Sequence, residues 1–178
     1  MADVPRKRRL FDPRYVSTER RRAYVLACIL FWSVLMFLFL NRCLFSAVEV
    51  VGPSMEPTFQ NGDRHFLRRW PYYFREPQRG DIVAVTHPSD PDLSVKRIVA
   101  IPGDTLQIRD RGVYVNTLRL EELYLGDKVD TYPHHFGQEP ILISDDHYFV
   151  MGDNRGNSED SRAYGPVSRD ALKGTISQ

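Results

Sequence analysis

After Cys43 the chain contains no cysteine, and its two cysteines, Cys28 and Cys43, lie in or beside one long apolar run. A disulfide framework and a cysteine-built zinc site are therefore excluded for everything that follows. Positive charge is scarce there too, with fifteen Lys/Arg against twenty Asp/Glu over residues 43–178. Binding a phosphate backbone needs a basic patch, so this balance argues against a nucleic-acid partner. The five histidines (His65, His87, His134, His135 and His147) show no metal spacing such as H-E-x-x-H. His134 and His135 are adjacent and would point apart on a strand, so no functional metal site is expected. No internal repeat is visible, and no convincing helix follows the apolar run.

What is present begins with an asymmetry. Residues 1–42 carry nine Lys/Arg and three Asp/Glu, including Arg6-Lys7-Arg8-Arg9 and Arg20-Arg21-Arg22. Ala23 to Leu40 (AYVLACILFWSVLMFLFL) follows, 18 residues without a formal charge. At the helical rise it covers about 27 Å, close to the ~30 Å hydrocarbon core of a bilayer. The run is apolar on every face, unlike a helix that packs on a soluble core. It is longer than the apolar region of a cleaved signal, and Phe45 sits where a small residue would be wanted for a cut after Ala47. We read a basic tail (1–22), a retained single-pass anchor (23–42) and one main domain (43–178). Positive-inside charge then sets the N-terminus in the cytoplasm and the domain on the far side. The tail holds Asp3, Asp12 and Glu19, unlike an acid-poor transit peptide, which favours a bacterial plasma membrane over an organellar one.

Past the anchor the pattern turns to short β-type segments: 47–51, 64–69, Asp81 to Thr86, Ser94 to Ile101, 147–151 and 172–176. Thr105 to Arg109, the Asp110-Arg111-Gly112 turn and Val113 to Asn116 read as a hairpin. The expected fold class is mainly β, an antiparallel sheet domain behind one transmembrane helix. Glu121 to Glu139 is irregular and rich in charge, Pro and His, and reads as a surface insertion. Trp70-Pro71-Tyr72-Tyr73-Phe74 is an aromatic cluster for which core packing is the plain expectation and contact with a membrane interface the functional one.

Three stretches could carry chemistry. In VVGPSMEPTF (50–59), Ser54 stands in a bend bounded by Gly52-Pro53 and Pro57. Gly tolerates unusual backbone angles and Pro fixes one, so the hydroxyl is held in a defined turn. A serine needs a base to become a nucleophile. Nothing in the pattern selects one of the five histidines for that role. Lys96, in LSVKRIVAIPGD, lies inside an apolar strand and is followed by Arg97. Neighbours on a strand face opposite ways, so one of the two is expected at solvent and the other on the apolar side. A buried ammonium falls from about 10.4 toward ~7–8, where the neutral amine can act as general base. The third stretch, MGDNRGNSEDSRAYG (151–165), reads either as a polar surface loop or as a support shell. In the second reading Ser158 or Ser161 hydrogen-bonds the lysine amine, and Asp160 with Arg162 braces the loop.

These three stretches, in this order behind a correctly charged anchor, resemble the type I signal peptidase family, the bacterial leader peptidases and their mitochondrial and plastid relatives. Gly52, Ser54, Met55, Pro57 and Thr58 match its serine box; Lys96-Arg97-Ile98-Val99 through Pro102-Gly103-Asp104 its lysine box; Gly152-Asp153-Asn154, Ser158, Asp160, Ser161 and Arg162 its last box. The resemblance implies a serine–lysine endopeptidase without metal or cofactor, which removes signal peptides from exported preproteins. Ser54 would be the nucleophile, Lys96 the base, and Ser158 the partner of the lysine amine, with Asp160 and Arg162 bracing it. The oxyanion would rest on backbone N–H groups, that of Ser54 and the Gly52 region. Val50, Val51, Gly52 and Met55, with Ser94 and Val95, would line an extended peptide bearing small residues at the first and third positions before the cut. Some members carry a serine where Gly52 stands, and Ala100 stands where Gly is common.

Two other readings compete. A self-cleaving repressor-type protease would need a DNA-binding helix-turn-helix, where this chain has its apolar run. A catalytically silent β domain that binds exported peptides would tolerate loss of the Ser54 hydroxyl.

Overall fold

The computed structural model describes residues 18–87, 90–126 and 129–176. The tail stretch Arg6 to Arg9, and Asp127-Lys128 of the irregular segment, lie outside the described residues. The chain divides into two compact units, one ending at Cys43 and one starting at Leu44.

The first unit is helix α1 (Thr18–Leu44), in which Arg20–Leu40 is long and apolar enough to cross a membrane. Its described side chains are exposed around the whole circumference, as lipid contact requires of an all-apolar helix. The helix begins ahead of Ala23 because Glu19 and Arg20 to Arg22 are good helix formers.

The second unit is built on antiparallel β-structure. Its strands are β1 (Phe45–Glu49), β2 (Arg64–Arg68), β3 (Ile82–His87), β4 (Asp90–Ala100), β5 (Thr105–Arg109), β6 (Gly112–Val115), β7 (Leu118–Arg119), β8 (Ile141–Leu142), β9 (His147–Met151), β10 (Val167–Ser168) and β11 (Leu172–Ile176). A larger sheet has the order β1-β2-β11-β3-β4-β9-β10, and a smaller one β7-β6-β5-β8. β4 extends back to Asp90, four residues ahead of the expected Ser94, because it closes a hairpin with β3 in which His87 faces Asp90. β1 starts and ends two residues early. Strands β7, β8 and β10 are too short to show alternation and were not expected. The β5–β6 turn is Asp110-Arg111, both with positive φ (49° and 59°), the two-residue geometry that matches strand twist.

Three apolar clusters hold this unit. Val99, Ala100, Phe149 and Met151 of the larger sheet meet Leu106, Ile108, Val113 and Val115 of the smaller. Val50, Met55 and Phe59 pack with Leu67, Ile82, Ala84, Val95 and Ile176, so apolar neighbours on both sides pin the Ser54 turn. Val83, Val85, Ile98, Tyr148, Val150, Val167 and Leu172 form the third.

Core packing holds for Tyr72, which packs against the third cluster, and fails for Tyr73 and Phe74. Trp70–Tyr73 forms a single helical turn, with Tyr73 75% and Phe74 83% exposed. Tyr72 Oη donates to Asp81 at 3.1 Å, and Arg75 pairs with the same carboxylate at 2.8 Å. These bonds fix the turn while leaving its outer rings uncovered.

Gly174 in β11 has φ +150°, and a Cβ there would lie 2.5 Å from the Arg68 carbonyl oxygen of β2. Gly174→Ala is expected to destabilise this unit by roughly 2–3 kcal/mol. The urea midpoint in detergent measures it, and an unchanged midpoint would contradict this packing.

Candidate active site

The Ser54 turn forms because each flanking residue has a fixed place. Gly52 adopts φ +89°, and its N–H donates to Asn61 Oδ1 at 2.9 Å. Val50 exchanges bonds with the next bend, its N–H to the Asp63 carbonyl and its carbonyl from the Gly62 N–H, both 2.8 Å. Glu56 N donates to the Pro53 carbonyl at 3.1 Å and Phe59 N to the Met55 carbonyl at 3.0 Å. Ser54 itself is half-buried, and Val51 is 83% exposed. Val50, Met55 and Val95 are core residues, and Ser94 Oγ donates to the Val85 carbonyl at 3.4 Å.

Lys96 lies at the centre of β4 and is 4% exposed. It faces Val83 across the ladder and shares that side of the strand with Ile98. Burial lowers its pKa below the ordinary lysine value and outweighs the attraction of Asp160 and Glu159. No ion pair to Lys96 forms among the described residues. Arg97 turns to the opposite side, yet it too is buried. The expectation that one of the two reaches solvent fails because both faces of the sheet are covered here. Arg97 meets the Asp153 carboxylate through two bonds (2.9 and 2.7 Å), donates to the Gly80 carbonyl at 3.0 Å, and lies 3.8 Å from the centroid of the Tyr124 ring.

The loop after β9 joins these two places. β9 pairs with β4 through Arg97–Met151, and the loop begins with the next residue, Gly152. Gly152 is the tightest point of the site, for a Cβ there would lie 2.2 Å from Ser158 Oγ and 2.5 Å from the Ser54 carbonyl oxygen. Asn154 N donates to that carbonyl at 3.0 Å, and Asn154 Nδ2 to the Pro53 carbonyl at 3.1 Å. Thr58 donates a short hydrogen bond to Asp153. The serine turn and the last box therefore meet around one glycine, and Val95 of the lysine strand packs with Val50 and Met55 of the serine turn.

Of the two serines considered as partners of the lysine, Ser161 is engaged elsewhere, its Oγ accepting from Val150 N at 3.0 Å. Ser158 Oγ is buried beside the Asp160 carboxylate without closing a hydrogen bond of good geometry. Asp160 and Arg162 are buried and joined by two bonds of 2.8 Å. Burial alone would raise the Asp160 carboxyl, but the Arg162 guanidinium and the Gly152 N–H hold it below the ordinary range. Arg162 also donates to the Arg155 carbonyl at 2.8 Å. Among the described residues no histidine hydrogen-bonds Ser54; His65 stacks on Phe59, with centroids 4.1 Å apart.

Sequence reasoning missed Asp153, read as a turn residue, and the part played by Glu121 to Glu139. That segment is largely exposed but not detached. Glu122 pairs with the fully buried Arg155, Thr131 accepts from the same guanidinium at 2.8 Å, and Tyr124 covers Arg97. Spacing could not reveal these contacts, because the partners lie more than twenty residues apart.

A family model described as "Signal peptidase, peptidase S26" matches residues 21–178. The chain belongs to this signal peptidase family. Signal peptidase I of Bacillus amyloliquefaciens is 33% identical over 172 residues, covering 90% of this chain and 92% of that protein. Signal peptidase I S of Bacillus subtilis is 37% identical over 152 residues and 80% of each chain. Probable signal peptidase I-2 of Synechocystis sp. is 36% identical over 149 residues, 80% of this chain and 66% of that protein. In structure, a signal peptidase I from Enterococcus faecalis superposes with a TM-score of 0.52 at 31% identity, over 58% of this chain and 98% of that one.

Two outcomes follow from this geometry. Asp153→Ala leaves the Arg97 guanidinium buried without its carboxylate and should cost about 3–5 kcal/mol of stability, read from denaturant unfolding. Between the lowered Lys96 pKa and the ordinary lysine value of about 10.4, the unfolded chain binds more protons than the folded one, so stability rises with pH in that window. Lys96→Met should remove this slope and melt higher than wild type at pH 7. A lower melting temperature for Lys96→Met would contradict the cost assigned to the buried ammonium.

Proposed function

We propose that this chain is a membrane-anchored serine endopeptidase that removes signal peptides from exported preproteins with Ser54 as nucleophile and Lys96 as general base. The observation that carries the reading is a lysine buried in β4, without an ion pair among the described residues, on the strand whose Val95 packs with Val50 and Met55 of the serine turn; desolvation lowers its pKa. A lysine so held yields its neutral amine at lower pH than a solvated lysine does.

In this mechanism the neutral Lys96 amine takes the Ser54 hydroxyl proton as Oγ attacks the scissile carbonyl. The developing oxyanion rests on backbone N–H donors, that of Ser54 first. Such donors act strongly in a site closed to water. Lys96 then passes the proton to the leaving amine, and an acyl-enzyme on Ser54 remains. Water attacks this ester with Lys96 again as base, releasing the signal peptide and restoring the serine. Ser158 hydrogen-bonds the Lys96 amine, and Asp160 with Arg162 braces the backbone that carries Ser158.

The substrate adds as a strand. β9 pairs only with the C-terminal part of β4, from Arg97 onward. The edge of β4 around Ser94 and Val95, beyond that pairing, is where the peptide is proposed to add. On the serine side, Val50 and the Gly52 N–H are engaged within the chain, so Val51 offers the main-chain groups for pairing. Met55 and Val95, buried in one cluster, close the floor and favour small side chains at the first and third positions before the cut. The apolar helix serves as a single-pass anchor in a bacterial plasma membrane with the N-terminus cytoplasmic, and the exposed Tyr73 and Phe74 rings suit a membrane interface.

The test is cleavage of a preprotein with Ala at both small-residue positions by the full chain in detergent with lipid, across pH 6 to 10. Ser54→Ala and Lys96→Ala should each lose at least about 100-fold in kcat. The wild-type rate should rise on an alkaline limb lying below the ordinary lysine range. Cleavage that survives in Lys96→Ala would transfer the base role to a histidine, and cleavage absent from wild type would favour the silent peptide-binding domain.

A further inference from the structure

The irregular segment between β7 and β8 holds a cluster that the dyad mechanism does not use. Glu122 Oε2 accepts from Arg155 Nη1 at 2.9 Å, and Glu122 Oε1 from both Arg155 Nη2 and Tyr124 Oη, the latter at 2.7 Å. The Tyr124 ring then lies over Arg97, with the guanidinium Cζ 3.8 Å from the ring centroid. Two side chains from one short turn, Leu123–Leu125 with its preceding residue, thus hold two buried guanidiniums.

Each guanidinium is a direct neighbour of the site. Arg155 Nε donates to the Gly152 carbonyl at 3.0 Å, at the residue where Ser54 and Ser158 pack together. Arg97 follows Lys96 in β4 and holds Asp153, which receives Thr58 from the serine turn. Neither contact reaches a reacting atom. Both limit how far the loop can move relative to the strand.

The energetics favour a positioning role over added stability. A buried guanidinium is costly unless its partners are complete. Arg97 has Asp153 below it and needs a cover that keeps water out, and a flat ring over a desolvated cation supplies one with attraction of its own. Arg155 has Glu122 as its carboxylate and Thr131 as a further acceptor. Burial raises the Tyr124 phenol, with Glu122 acting in the same direction, so it stays protonated and donates to Glu122 at working pH.

We propose that Glu122 and Tyr124 are positioning residues for the peptidase reaction, clamping Arg155 and Arg97 so that the Gly152 loop, the Ser54 turn and the Lys96 strand keep one geometry. The proposal rests on the serine–lysine reading above. Small displacements of reacting groups cost rate far more than binding, with about 1 Å enough for 100-fold.

Tyr124→Leu, Tyr124→Phe and Glu122→Gln in the full chain are assayed with the same double-Ala preprotein, and amide hydrogen exchange is followed over residues 152–158. Tyr124→Leu should lower kcat about tenfold or more with KM within twofold. Tyr124→Phe, which keeps the ring over Arg97, should return to within about threefold of wild type. Exchange at Gly152 and Asn154 should quicken in Tyr124→Leu. Unchanged kcat in a folded Tyr124→Leu, or unchanged exchange, overturns the clamp. If Tyr124→Leu does not fold, Glu122→Gln decides by the same criteria. If wild type cleaves nothing, the peptidase reading has failed, and the exchange data alone judge the clamp.

Discussion

The proposed mechanism depends on one amine, that of Lys96, which the fold withdraws from water and which forms no ion pair among the described residues. Lys96 lies on β4 between Val83 and Ile98, and the acids nearest to it act only as a background field. Asp160, the larger of those influences, is bonded to Arg162 through two bonds, and burial of the lysine outweighs its attraction. A carboxylate given wholly to one cation leaves the other cation under the cost of burial. That division of charge is what makes a lysine useful as a base.

Three buried guanidiniums of this unit follow the opposite rule. Arg97 and Arg162 each take a whole carboxylate, and Arg155 takes Glu122. Arginine suits this because its planar fork matches a carboxylate in two places and stays charged at any working pH. Three buried arginines have fixed partners, and among the described residues Lys96 has no ion pair. The pairs hold the loop, and in the proposed mechanism the unpaired lysine does the chemistry.

The sequence carried the fold class and the three boxes clearly, because β-type runs and Gly/Pro-bounded turns are local signals. Strands β9 and β11 fall where the apolar runs stand, and the Thr105 to Val115 hairpin was legible from its turn. What could not be read was covering. Nothing local says that Arg97 is buried, because its burial comes from Tyr124, which belongs to another part of the chain. Asp153 looked like a turn residue for the same reason, its partners Arg97 and Thr58 being far away in sequence. Glu121 to Glu139 has the composition of a surface loop and is mostly exposed. Only the tertiary pairing of Glu122 and Tyr124 distinguishes it from a passive insertion.

The most direct test of this account is the pKa of Lys96 itself, followed by NMR of the side-chain amine or its adjacent carbon in selectively labelled protein in detergent, with Lys96→Met identifying the signal. The account predicts a titration clearly below the ordinary lysine value of about 10.4. Titration at or above that value would show a charged, satisfied lysine at neutral pH. It would remove Lys96 as the base that activates Ser54.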